Sequence, residues 1–245
     1  MMEAYWWLLY ILMPTVAFLY AAVGHGGASS YLMFLALFNF APEQIRPTAL
    51  ILNIVVSLMA FLAFRGTVKF PTKLFLSIII FSVPAAFFGG RILVDAGLYK
   101  QILGLLLFFP ILRFLNIFPK STAPKISENW ILAGILGLGI GFVSGLIGIG
   151  GGIILSPILL LLGWTDMKET AAVSALFIFM NSISGLLGTN AFAISFDPLL
   201  WVLMPLTIAG GALGAYFGAK KFNYQGVKYT LTAVLLIAAV KLIWG

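Results

Sequence analysis

The chain has 245 residues, 62% of them hydrophobic and only 9% charged, with a mean hydropathy of +1.12. Soluble domains are about 45–50% apolar and roughly 25% charged, so a water-soluble fold is excluded and a membrane is implied. The net charge of +7 is scattered over short loops, which suits orientation in a bilayer and argues against nucleic acid as a partner; the absence of cysteine excludes disulfides, thiolate metal sites and cysteine catalysis.

The first residues, Met1-Met2-Glu3-Ala4, lack the basic region of a signal peptide and run into Tyr5-Trp6-Trp7, read as an interfacial aromatic anchor retained in the mature protein. Apolar segments follow at 5–23, 28–40, 46–64, 73–92, 99–117, 130–147, 153–163, 170–189, 198–219 and 227–244. Apolar and polar residues do not alternate, so these are predicted helices rather than barrel strands. Segments 28–40 and 153–163 are short: at ~1.5 Å per residue they reach roughly 16–20 Å against a ~30 Å hydrocarbon core. Each follows a glycine cluster, Gly24-His25-Gly26-Gly27 in one case and Gly148-Ile149-Gly150-Gly151-Gly152 in the other. Between the halves, the proline-containing stretch from Phe118 to Lys125 reads as a linker.

The halves match in order. Gly24, Gly26 and Gly27 align with Gly148, Gly150 and Gly151, and Arg46-Pro47-Thr48-Ala49 aligns with Lys168-Glu169-Thr170-Ala171. Gly66 aligns with Gly188, Pro84 and Gly89-Gly90 with Pro205 and Gly210-Gly211, and Lys100 and Arg113 with Lys228 and Lys241. The expected organisation is one integral membrane domain: a first repeat over 1–118, a linker over 119–129 and a second repeat over 130–245.

The loop charges orient the repeats. If each glycine cluster turns the chain back, Arg65, Lys69, Lys73, Lys120, Lys125, Lys168, Lys220, Lys221 and Lys228 share one face, with Arg113 near it, against Arg46, Arg91, Lys100 and Lys241 on the other. The predicted fold is therefore an all-α polytopic membrane protein with two inverted-topology repeats. Each is a glycine-rich helical hairpin followed by three transmembrane helices, for eight to ten membrane segments, with both termini outside. Two full crossings and a shallow hairpin have the same parity, and both readings stay open here.

A turn within the membrane must line a polar cavity or lie in protein, because its N–H groups find no partner in hydrocarbon. Gly24, Gly26, Gly27, Gly148, Gly150, Gly151 and Gly152 allow positive φ and close backbone approach, and the helices after them point positive dipole ends at whatever lies between. These features favour an anion, with Ser29, Ser30 and Ser156 as added hydroxyl donors. His25, the single histidine, is a candidate proton carrier or anion donor, with a structural hydrogen-bonded histidine as the alternative. Asn53, Ser57, Asn181 and Ser182 sit in apolar helices, where they line a cavity or bond to neighbouring helices; Asn53 and Asn181 are carried forward as substrate-binding candidates. Arg46 and Lys168 are placed at the two mouths as anion attractors, against the simpler reading of solvated loop charges. Pro84, Pro157 and Pro205 are candidate hinges. The four-residue spacings of Gly137, Gly141 and Gly145, and of Gly210, Gly214 and Gly218, are read as helix packing.

All seven acidic residues fall at segment ends, unlike the buried carboxylates of cation pumps. No phosphate-binding Gly-Lys-Ser/Thr sequence and no His-Glu-x-x-His motif occurs, so neither ATP-driven transport nor zinc proteolysis has support and no enzyme activity, metal or cofactor is expected.

The stretch from Gly145 to Gly152, then Ser156-Pro157 and Lys168-Glu169-Thr170-Ala171-Ala172, resembles the signature of the TauE/SafE family of sulfite and organosulfonate exporters, inner-membrane permeases of about this length. The first half carries a degenerate copy that departs from it at His25, Ala28 and Tyr31. The resemblance implies secondary transport of a small sulfur-containing anion such as sulfite, sulfoacetate or thiosulfate across a prokaryotic inner membrane, with export as the expected direction. The partners expected are the small anionic substrate and the lipid bilayer, with a homodimer left open. An anion channel, or a non-transporting membrane subunit of a partner enzyme, is the alternative function.

Overall fold

The computed structural model describes residues 6–95, 97–99, 101–102, 105, 129–189 and 196–220. Its main elements are eight α-helices: α1 Leu9–Ala21, α2 Ala28–Leu37, α3 Pro42–Phe64, α4 Thr72–Arg91, α5 Trp130–Ile147, α6 Gly152–Leu161, α7 Met167–Gly188 and α8 Pro198–Lys220. Five of them, α3, α4, α5, α7 and α8, are long and apolar enough to cross a membrane, and no strand occurs among the described residues. Segment 227–244, nearly all of 99–117 and 119–129, and the matched pairs Lys100–Lys228 and Arg113–Lys241 lie outside the described residues.

Local chemistry sets where these helices begin. Asn129 caps α5 by accepting from the N–H groups of Ile131 and Leu132. Asp166 and Glu169 form a reciprocal capping box at the start of α7, three residues before the predicted boundary. Helix α3 starts four residues earlier than predicted, with Pro42 at its first position and Glu43 in its first turn. Arg46 consequently lies inside a helix and not in a loop.

The short helices start differently. Neither α2 nor α6 has a side-chain cap; each opens from a left-handed glycine, Gly27 at φ 92° and Gly151 at φ 75°. Both are apolar around most of their circumference, as centrally buried helices must be. Ala28 through Ala36 are all buried, as are Gly152 through Pro157. The longer helices surround this centre and expose Ile80, Phe88, Trp130, Ile135, Trp201 and Leu213, an apolar exterior fit for lipid.

The packing is reciprocal. Helix α1 packs on α8 and α4 on α5; α3 packs on α8 and α4 on α7; α2 packs on α3 and α6 on α7; α3 and α7 pack on each other. Exchanging the first four helices for the last four leaves this set unchanged. Two glycine stripes bring helix backbones into close contact. On α5, Gly137, Gly141 and Gly145 lie against the carbonyls of Ile78, Ser82 and Ala86; on α8, Gly210, Gly214 and Gly218 lie against Pro14, Phe18 and Ala22 of α1. A side chain at any of these six would push the helices apart, which is the packing role their spacing predicted.

Candidate functional site

The first turn closes by local backbone bonding. After α1, the N–H groups of Gly24 and His25 reach the carbonyls of Ala21 and Tyr20, at 3.1 and 2.9 Å. Gly24 has φ 80°. Tyr31, one helical turn into α2, donates its hydroxyl back to the Gly26 carbonyl at 2.7 Å, and Tyr20 pairs with Ser29 at 2.7 Å. Ser30 is fully buried in the first turn of α2.

The second turn is held from a distance. Gly148, Gly150 and Gly151 all have positive φ. Of the last carbonyls of α5, Ser144 accepts from the Gly148 N–H at 2.8 Å, Gly145 from the Arg46 guanidinium at 3.0 Å, and Ile147 from the Tyr99 hydroxyl at 2.9 Å. Arg46 also donates to the carbonyls of Gly90 and Ile92 at the end of α4, each at 2.9 Å. A cation thus sits at the negative ends of two helices. It is 6% exposed, so the reading of Arg46 as a solvated loop charge does not hold. Its burial follows from the early start of α3, which turns it inward onto carbonyls that α4 and α5 cannot satisfy themselves. Lys168 is exposed at the start of α7.

The two turns meet at the centre. His25 Nε2 lies 2.9 Å from Ser156 Oγ on α6, and Ser156 Oγ lies 2.6 Å from Ser174 Oγ on α7. His25 Nδ1 faces the Val23 carbonyl at 3.1 Å, and since a carbonyl only accepts, the network assigns a proton to Nδ1. Ser156 also reaches the Gly152 carbonyl at 2.8 Å, so its single hydroxyl proton has competing acceptors. Asn53 spans both turns: Oδ1 accepts from the Ala28 N–H at 3.1 Å and Nδ2 donates to the Ile149 carbonyl at 3.4 Å. Glycine is required on either side of this amide, because a Cβ on Gly26 would strike Oδ1 and one on Gly150 would come within 2.6 Å of Nδ2.

Several N–H groups at the turns have no acceptor among the described residues: Gly26, Gly27 and Ser29 in the first, Gly150, Gly151, Gly152 and Ile153 in the second. A cavity of about 10 Å³ lies between the turns, against Tyr20, His25, Gly27, Ser29, Ile149 and Ile178. That is about the room of one water and less than any oxyanion needs. Arg46 is the one buried charged side chain among the described residues, and no carboxylate there is buried.

The candidate residues therefore divide. Gly24, His25, Gly26, Gly27, Ser29, Asn53, Gly150, Gly151, Gly152 and Ser156 gather around the paired turns, with Gly148 at the end of α5. Asn181 does not join them: it accepts from Ser82 at 2.6 Å across the α4–α7 seam and donates to the Phe177 carbonyl at 2.9 Å. Pro84, Pro157 and Pro205 lie inside α4, α6 and α8. Sequence reasoning missed Tyr20, Tyr31, Tyr99 and Ser174. Only their position beside a turn or on a facing helix draws attention to them, and apolar runs conceal that register.

Residues 9–242 match the family described as Sulfite exporter TauE/SafE. The chain is 33% identical over 235 residues to "Probable membrane transporter protein y4hK" of Sinorhizobium fredii, covering 94% of each chain. It is 30% identical over 105 residues to "Probable membrane transporter protein MamO" of Paramagnetospirillum magneticum, covering 40% of this chain and 16% of that protein. No solved structure matches it. A match spanning the glycine turns, the helices they head and the α3–α7 crossing places this chain in the TauE/SafE family of membrane transporters.

Proposed function

We propose that the protein is a secondary transporter that exports a small, sulfur-containing anion such as sulfite, sulfoacetate or thiosulfate, held between the two glycine turns. The observation that carries this reading is the juxtaposition of two buried, uncapped helix starts, linked through His25–Ser156 at 2.9 Å, where no carboxylate is buried among the described residues. Free N–H groups at helix starts recognise negative charge, and the family description supports sulfur oxyanions as ligands.

The reciprocal packing of α1–α4 with α5–α8 supports two repeats, 1–118 and 130–245 around a 119–129 linker; the loop charges support their inverted topology, with both termini outside, and the family supports eight to ten membrane segments in a prokaryotic inner membrane. In this reading one repeat rocks against the other, and the prolines at 84, 157 and 205 serve as hinges. A water-sized cavity supports a requirement that the turns part to admit substrate. Arg46 would then be freed from Gly145 as its mouth opens, while Lys168 draws the anion to the other mouth. The protein moves its ligand without converting it.

The test is a thermal-stability screen of purified protein against sulfite, sulfate, thiosulfate, sulfoacetate, taurine and carboxylates. A bound ligand at a hundred times its Kd stabilises by about 2.7 kcal/mol. Sulfur oxyanions are expected to raise the melting temperature; a flat response across the panel would remove the anion assignment.

A further inference from the structure

Within the transporter reading just given, on which this inference rests, the two turns are not equivalent. At the first turn Ser29 is paired with Tyr20, Tyr31 with Gly26, and the Ala28 N–H with Asn53 Oδ1, which leaves the N–H groups of Gly26, Gly27 and Ser29 and one buried hydroxyl, that of Ser30, without a partner among the described residues. Asn53 thus already supplies an oxygen at the N-terminus of α2, where an anion oxygen would otherwise sit.

The second turn gathers more unpaired donors than the first. Among the described residues, four buried side-chain polar atoms lack a partner: one, Ser30 Oγ, is at the first turn, and three, Ser144 Oγ, Ser182 Oγ and Arg46 Nε, belong to residues packed on the second. Ser182 Oγ lies 3.0 Å from the place a Cβ on Gly150 would occupy, Ser144 Cβ 3.2 Å from that place on Gly151, and Arg46 Cβ 3.5 Å from that place on Gly148. Ser144 and Ser182 are fully buried. Leaving a buried hydroxyl unpaired costs about 1–3 kcal/mol, so two beside one turn ask for a common acceptor. The unpaired N–H groups of Gly150, Gly151, Gly152 and Ile153 face the same need.

We infer that the second turn alone is the primary subsite for an oxyanion oxygen, that Ser182 is a binding residue donating its hydroxyl to it, with Ser144 beside it, and that the first turn serves as the moving wall. The subsite selects an oxyanion by N–H and O–H donors, with the guanidinium of Arg46 behind the turn supplying favourable charge. Asn53 holds the wall in place, and its amide oxygen lets α2 start without an anion of its own.

The experiment compares Ser182→Ala, Ser144→Ala, Ser29→Ala and, as a control on α7, Ser184→Ala, whose hydroxyl is already bonded to the Val83 carbonyl. Melting temperatures are read in detergent across titrations of sodium sulfite, sulfate and thiosulfate. Ser182→Ala should melt no lower than wild type without anion, because it removes an unpaired hydroxyl. It should need at least about tenfold more of the most stabilising anion for the half-maximal shift, about 1.4 kcal/mol by the usual conversion. Ser144→Ala should shift in the same sense, Ser29→Ala by less, and Ser184→Ala should bind as wild type does. A wild-type response in Ser182→Ala and Ser144→Ala, or a larger loss in Ser29→Ala, would overturn the assignment and leave the transporter reading standing. No response from the wild-type protein to any of the three anions would overturn both.

Discussion

Arg46 carries an unusual load for one side chain: three carbonyls on two helices, from a buried position with no carboxylate beside it among the described residues. Hydrogen bonds to a charged group contribute about 1.5–3 kcal/mol each, and carbonyls stripped of their donor at a buried helix end are costly. Arg46→Ala should therefore cost about 3 kcal/mol or more and lower the melting temperature sharply. Arg46→Lys should lose less, since it keeps the charge but not the planar fork. Equal melting of Arg46→Ala and wild type would show that the guanidinium does not hold α4 and α5 together. The sequence shows this arginine as a charge at the edge of an apolar segment, and its burial is not legible there because the carbonyls it meets belong to α4 and α5. His25, by contrast, was recognisable as singular; that its partner is Ser156 required the second half of the chain to be folded against the first.

At the scale of elements, glycine spacing was the most legible signal. The four-residue stripe on α5 implied close packing, and Gly141 lies so near α4 that a Cβ would come within 2.6 Å of Ser82 Oγ. Gly139, on the same helix, has nothing within 4 Å of that position. Gly141→Leu should cost about 1–3 kcal/mol through overpacking, whereas Gly139→Leu should be within about 0.5 kcal/mol of wild type. Thermal melting of the two variants checks this, and equal effects would contradict the packing seam. Helix boundaries were less well read. The predicted starts of α3 and α7 are late because an apolar run begins only after the polar first turn, and Pro42-Glu43 and Asp166 through Glu169 are helix-start chemistry.

For the molecule as a whole, the proposed export of an anion follows the membrane potential. A negative interior favours exit by about 2.3 kcal/mol per charge per 100 mV. In proteoliposomes, sulfite efflux should speed up when a potassium diffusion potential makes the interior negative, and the pH dependence of that efflux should vanish in His25→Ala. Efflux that ignores the potential would exclude an uncoupled uniport, and an unchanged pH profile in His25→Ala would take the imidazole out of coupling. Saturable counterflow distinguishes this carrier from an anion channel, which would give single-channel currents instead.

The sequence by itself determined that the chain lives in a membrane, that its spans are helical, and that two glycine clusters break matched places, because composition, run length and glycine spacing are local properties that hydrocarbon constrains strongly. Tertiary structure decided which groups face the turns. It turned Asn181 toward Ser82, made Asn53 the bridge, buried Arg46, and left Ser144 and Ser182 unpartnered beside the second turn. In helices apolar on every side, periodicity does not say which face looks inward; that is settled when α3 packs on α7 and each short helix packs on one of them, α2 on α3 and α6 on α7.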